Sequence, residues 1–159
     1  MNVEIRPAAP ADVPRILELI SELAAFEKLS GEVEATQERL RQGLFPADGR
    51  PSAECVLALM DGSPVGYAVY FTTFSTFLAK PGLYLEDLFV RPQARRRGIG
   101  TSLLLHLAGL ANRRGCGRME WTVLDWNRPA IDFYASIGAR TLPDWRVCRL
   151  TGGALERYG

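Results

Sequence analysis

"VRPQARRRGIGTSLLLHL", Val90 to Leu107, is the stretch whose reading decides the fold. A strand-like apolar run ends at Val90. Three arginines follow, then Gly98 and Gly100, then a leucine-rich helical repeat. Like charges repel, and glycine weakens the element that contains it. The arrangement makes sense when something negative sits against it. A strand, a glycine turn and a helix start aim several backbone N–H groups at one point. Without a Cβ, Gly98 and Gly100 let the backbone approach a phosphate closely, and arginine adds forked, permanently charged donors. RRRGIG therefore reads as a diphosphate cradle. On the loop alone, a tight turn with a solvated charge run is the other reading. GxG is less than the dinucleotide fingerprint. The loop is also not GxxxxGK[ST], which argues against a nucleotide triphosphatase.

Upstream, "VEIRPA" is a first strand, broken by Pro7 to Pro10. "ADVPRILELISELAAFE" repeats apolar residues with helical period, with Asp12 near its start and Pro14 in the first turn. "EATQERLRQGLF" is a shorter, polar helix and "PADGRPS" a loop. Two apolar strands, about Ala53 to Met60 and Pro64 to Thr73, flank Asp61-Gly62-Ser63 and read as a hairpin. "FSTFLAKPG" reads as an aromatic-rich loop and "LYLEDLFV" as the strand that runs into the cradle.

Downstream, Leu103, Leu104, Leu107, Leu110 and Ala111 form one helical stripe, with Gly115 as its stop. "RMEWTVL" reads as a strand. "NRPAIDFYASIG" is a helix with Asn127 as N-cap and Gly138 past its end, and "WRVCRLTG" is a last strand. The order β, α, α, β, β, β, α, β, α, β predicts one mixed α/β domain over residues 1–159.

Composition bounds the function. The chain has 159 residues, 47% hydrophobic and 23% charged, with net charge +1, so no whole-protein basic field gathers nucleic acid. The N-terminal stretch has no signal-peptide core, and no apolar run is long enough to span a bilayer. The expectation is a cytoplasmic protein with no membrane partner. Cys55, Cys116 and Cys148 have no metal-ligand spacing, and Cys55 and Cys148 sit in apolar runs that predict burial. His106 is the sole histidine, at the edge of the apolar stripe. That argues against serine and cysteine triads.

Arg95-Arg96-Arg97-Gly98-Ile99-Gly100, placed between strand and helix, resembles the [R/Q]xxGxG/A motif of the GNAT N-acetyltransferases. "YLEDLFV", "VLDWNRPAIDFYASIGA" and "ELAAFE" are similar to the diamine branch, the spermidine/spermine and thialysine acetyltransferases. The likeness spans nearly the whole chain. It implies an α/β fold with a central, mostly antiparallel mixed sheet flanked by helices and splayed at the cofactor site. It implies an acetyl-CoA-dependent enzyme without a metal, acting by direct transfer on a small-molecule amine, commonly as a homodimer.

The resemblance also implies roles. Leu88, Phe89 and Val90 would hold the acetyl and pantetheine portion. Arg95, Arg96, Arg97, Gly98, Ile99, Gly100 and Thr101 would take the pyrophosphate, and Asn127, Arg128, Pro129 and Ala130 would flank the cofactor arm. Tyr134 would be the general acid and Glu86 the base. Phe26, Glu27, Glu86, Glu120, Trp121, Thr122 and Asp144 would face the substrate. Position 26 is Phe where these relatives often carry Tyr, and "LPDWRV" is shorter than its counterpart in the polyamine enzymes.

The residues fit acetyl transfer. The amine must lose a proton, the oxyanion needs donors, and the departing thiolate needs a proton. Glu86 can accept a proton, and a tyrosine with pKa about 10 is matched to an alkyl thiol. Spacing alone leaves Tyr134 equally readable as a core tyrosine on a helix stripe. Glu86 and Asp87 are adjacent on a strand, so they point to opposite faces unless the strand bulges. Asp87 is then expected to be a structural or entrance residue. The acids gather on the substrate side and the arginines on the cofactor side, which suits a cationic substrate with an anionic cofactor. Alternative readings are an amino-acid or peptide amine acetyltransferase, an arginine-rich nucleic-acid-binding module, and an acetyl-CoA sensor without turnover.

Overall fold

The computed structural model describes residues 2–159, which divide into two compact units, one reaching to Thr122 and the other Val123–Gly159. In the first unit lie β1 (Val3–Pro7), α1 (Val13–Phe26), α2 (Gln37–Leu44), β2 (Glu54–Met60), β3 (Ser63–Ser75), β4 (Lys80–Val90), α3 (Ile99–Arg113) and β5 (Arg118–Glu120). The sheet runs in chain order from β1 to β5. β1 to β4 pair antiparallel and β5 joins β4 in parallel, as the resemblance implies.

The β2–β3 turn is where the sequence puts it. Asp61 (φ 50°) and Gly62 (φ 84°) take the left-handed conformations that a two-residue hairpin requires. The next segment corrects the sequence reading. "FSTFLAKPG" is not a loop: β3 runs to Ser75 and β4 starts at Lys80, leaving four residues to turn. Pairing overrides the weak strand signal of this stretch, because Thr73, Phe74 and Ser75 face Gly82, Pro81 and Lys80 across the ladder.

β2 shows why the core has two sides. Cys55, Val56, Leu57, Ala58 and Leu59 are all buried, as a strand covered on both faces must be. Cys55, Leu57 and Leu59 pack with Ile16 and Leu19 of α1, Leu44 of α2, Tyr67 and Phe89. By strand alternation Val56 and Ala58 take the other face. On α3, Leu103, Leu104, Leu107 and Ala111 of the stripe read from sequence are buried, Leu110 is only partly covered, and Ile99, outside that stripe, is buried as well. Arg6 closes the entry to α1 with a bidentate pair to Asp12 at 2.8 and 3.0 Å. Arg91 fastens the far end of β4 to α1 through Glu22 at 2.9 Å and Glu18 at 3.5 Å.

The β4–β5 ladder covers Gly82 to Tyr84 only, so β5 is much shorter than "RMEWTVL" predicts. From Leu85 to Val90 that edge of β4 has no ladder partner among the described residues. Here the sheet is open.

The second unit holds α4 (Arg128–Ser136) and α5 (Gly152–Glu156). Asn127 caps α4 by accepting from the Ala130 N–H at 3.4 Å, and Gly138 (φ 95°) follows it, both as expected. α5 has no counterpart in the sequence reading. The expected last strand "WRVCRLTG" is not formed. A strand is stabilised by its ladder, and none of the described residues pairs with this segment. Trp145 and Val147 are 79% and 72% exposed, and Cys148 is exposed rather than buried.

Candidate active site

The glycine loop leads β4 into α3. Gly98 is the N-cap residue of α3 in the left-handed region (φ 75°, ψ 9°), and with no side chain it supplies no cap hydrogen bond. The first N–H groups of a 15-residue helix therefore meet only what approaches from outside the cap residue. Arg96 also has a positive φ, 63°, uncommon for a residue with a Cβ. A Cβ on Gly100 would come no closer than 3.8 Å to Val90 and 4.0 Å to Leu88. The chain's own packing does not require glycine there. These features fit a diphosphate, which needs close backbone approach, free donors and positive charge.

Arg95 is held by contacts within the protein. Its Nε donates to the Val90 carbonyl at 2.8 Å, and its guanidinium lies 5.0 Å from the Phe26 ring centre and 5.5 Å from that of Phe89. Arg95 thus ties the loop to the C-terminal end of α1. It also lines, with Glu22, Ala25, Phe26, Phe89, Pro92 and Gln93, an open cleft of about 370 Å³. Arg96 and Arg97 are exposed on the loop.

The centre of β4 is irregular. Val69 faces Asp87 and Tyr70 faces Leu85, so Glu86 is an extra residue in the ladder. This is a β-bulge, and it overturns the simple alternation that would send Glu86 and Asp87 to opposite faces. Glu86 is exposed, next to a half-buried Asp87. Tyr67, fully buried, donates its hydroxyl to Asp87 Oδ2 at 2.8 Å. Burial pushes the Asp87 carboxyl above the ordinary range, and the hydrogen bond from Tyr67 pulls it partly back. Glu27, just past the end of α1, is raised by burial first and by the Asp87 charge second. Glu27 and Asp87 are therefore within electrostatic reach of one another. Burial and the Asp87 charge hold the Tyr67 phenol far above its usual value, so it does not ionise.

The first unit thus brings Phe26, Glu27, Glu86, Leu88, Phe89, Val90 and the loop Arg95–Thr101 onto α1's end, β4 and the start of α3. Glu120 ends β5, with Trp121 and Thr122 after it. Asn127, Arg128, Pro129, Ala130 and Tyr134 lie on α4 or at its cap, and Asp144 is exposed beyond it. Sequence reasoning missed Tyr67 and underrated Asp87. Tyr67 sits in an apolar run, and its hydroxyl contact crosses 20 residues of chain, so no local signal marks it.

Comparison with known proteins follows the same direction. Residues 16–139 match the acetyltransferase (GNAT) family. The chain is 34% identical to the L-ornithine N5-acetyltransferase NATA1 of Arabidopsis thaliana, over 98% of this chain and 87% of that protein. It is 36% identical to the thialysine N-epsilon-acetyltransferase of Sus scrofa, over 98% and 96%. Among solved structures, an integron cassette protein from V. cholerae superposes with a TM-score of 0.80 at 27% identity, covering 99% of this chain and 98% of that one. By the family match over residues 16–139 and by its relatives over nearly its whole length, this chain belongs to the GNAT acetyltransferase family, and it is an N-acetyltransferase.

Proposed function

We propose that the enzyme transfers an acetyl group from acetyl-CoA directly to a primary amine of a small cationic substrate, a diamine, polyamine or lysine analogue. The observation that carries this reading is the acidic end of the site. Glu27, Glu86 and Asp87 gather where β4 bulges, upstream of a positive, glycine-headed loop. A cationic substrate and an anionic donor suit opposite ends of such a surface. The thialysine and ornithine relatives, whose names specify side-chain amines, support the same substrate class.

When bound, acetyl-CoA supplies an acetyl group activated as a thioester. The residues that would hold it are the Arg96–Thr101 loop at the diphosphate and the open edge of β4 along its arm, with Asn127–Ala130 flanking. Arg95 steadies the loop from behind. An alkyl amine has pKa about 10.4, so bringing it to neutrality at pH 7 costs roughly 4–5 kcal/mol. Glu86 takes that proton at its carboxylate, directly or through one water. Glu27 keeps a second cationic group in place. Tyr134 gives its phenolic proton to the departing sulfur, the role of a general acid. No covalent enzyme intermediate is needed. The working assembly in this reading is a cytoplasmic homodimer formed by a single domain. Among the described residues no helix is long and apolar enough to cross a membrane.

A thiol-release assay across diamines, polyamines, lysine analogues, free amino acids, peptides and aminoglycosides tests the substrate class. Dications and lysine analogues should give the highest kcat/KM. Preference for a peptide α-amine, or for amines with neutral tails, would replace this reading with the amino-acid or peptide alternative.

A further inference from the structure

Arg91 and Arg95 both lie between β4 and α3, and they are held in different ways. Arg91 gives its guanidinium to Glu22 at 2.9 Å and Glu18 at 3.5 Å. Arg95 takes part in no ion pair among the described residues. Its Nε donates to the Val90 carbonyl, and the rings of Phe26 and Phe89 lie against its guanidinium. A guanidinium stacked on aromatic rings keeps the N–H donors of its outer edge. Arg95 also lines the open cleft of about 370 Å³ beside α1.

The cleft belongs to one face of the sheet. Phe89 packs with Ile16 and Leu19 of α1. Leu88 and Val90, its neighbours along β4, turn to the other face, where Gly100 at the start of α3 adjoins them. The Arg95 guanidinium and the helix start thus lie on opposite faces of β4. Arg95 shares its face with acids instead. Asp87 stands two residues before Phe89, bonded to Tyr67 from that face, and Glu27 directly follows Phe26.

A guanidinium and a carboxylate side by side suit a zwitterion. The head of an α-amino acid carries one ammonium and one carboxylate. A diamine or polyamine tail carries cations only, which Arg95 repels. Glu22, the other charge lining the cleft, is answered by Arg91. We propose that Arg95 is a specificity-determining residue that takes the α-carboxylate of a lysine-type amino acid in a forked pair, so that the enzyme acetylates the side-chain amine of an amino acid in preference to a diamine. Glu27 then takes the α-ammonium. From Phe89 to Glu86 is three residues, about 10 Å of strand. An extended lysine-type chain, with a contact at each end, covers that distance. The inference rests on the reading of a cationic substrate anchored by Glu27, and it narrows the class.

The test reads a ratio, because Arg95 also steadies the loop. With saturating acetyl-CoA, kcat/KM is measured for lysine and thialysine, for the diamine that each leaves on losing its carboxyl group, and for 6-aminohexanoate, which is lysine without its α-amino group. The wild type should favour each amino acid over its own diamine by about tenfold or more. Arg95→Gln should lower that ratio roughly 10- to 100-fold, the worth of a forked charge-assisted pair. It should lower 6-aminohexanoate turnover as much as lysine turnover. Equal losses for amino acid and diamine would make Arg95 a loop support only and overturn the subsite, leaving the cationic-amine reading in place. A wild type that takes the diamines as well as the amino acids overturns it too. No turnover with any of these amines removes the cationic-amine reading and the subsite together. If Arg95→Gln does not fold or does not bind acetyl-CoA, Gln93→Glu decides. It sets a negative charge at an exposed position lining the same cleft. The amino-acid-to-diamine ratio should fall several-fold, and an unchanged ratio overturns the subsite.

Discussion

Gly100→Ala separates a cradle from a turn more cleanly than any other substitution in the loop. Gly98 is a poor probe, because at φ 75° any side chain strains the backbone and folding changes along with binding. Gly100 is the second residue of α3, and its φ is not in the left-handed region. The added methyl would meet Val90 at 3.8 Å and Leu88 at 4.0 Å, ordinary contacts that displace nothing. Alanine in place of glycine within a helix should stabilise the free protein by about 0.4–1 kcal/mol. For a chain of this size that is a rise in Tm of roughly 1–4 °C. Binding should move the other way. A methyl that holds the diphosphate off the helix start loses about one charge-assisted hydrogen bond, worth about 1.5–3 kcal/mol. The Kd for acetyl-CoA should therefore rise roughly 10- to 100-fold. Thermal melting without ligand and titration calorimetry with acetyl-CoA, on one preparation, measure both. A higher Tm with Kd unchanged within twofold would falsify the cradle, leaving the loop as a helix entry and nothing more.

Tyr134→Phe should lower kcat by roughly 10²-fold with acetyl-CoA affinity nearly intact, and a melt on the same sample excludes misfolding as the cause. Normal turnover per folded molecule would make Tyr134 a packing residue. Glu27→Gln should raise KM for a diamine while changing KM for a monoamine of equal length little, and added salt should erode the wild-type diamine preference. Equal shifts for both amines would remove Glu27 as the anchor. Asp87→Asn should gain stability relative to the wild type as pH rises from about 4 towards 7. The Asp87 carboxyl is raised on folding, so its contribution is fully present below the unfolded value of about 3.9 and is lost as pH climbs through the folded one. Urea melts across that range, showing the opposite trend, would refute the burial argument.

The glycine loop was legible because its signal is local: three charges, two glycines and a helical stripe adjoin in sequence. The two-sided core was legible in the unbroken apolar run of β2. The bulge was not, because "YLEDLFV" looks the same with or without an extra residue in the ladder. Pairing partners, not composition, decide register. Arg95 was read with Arg96 and Arg97 as a cofactor residue, and its place over two aromatic rings far apart in the chain could not be read from the loop alone. "WRVCRLTG" shows the converse error. Its apolar and β-branched content suits a strand, but content without a partner makes none. Cys148 followed that segment into the wrong environment.

The three-residue seam between β4 and β5 also says how the protein should assemble and breathe. β2, β3 and β4 are joined by turns of two and four residues, and closing such short loops costs little entropy. Their meander can form early from local contacts. β5 waits for the glycine loop and the whole of α3 to be laid across the sheet before its few bonds can form. A seam that closes late with so few bonds is also one that opens at low cost. Amide exchange should therefore be fastest along β5, intermediate at the start of α3 and slowest in the middle of β2 and β3. Glu86 and its bulge sit on the slow-exchanging meander, while the loop proposed to take the diphosphate lies on the path to the opening seam.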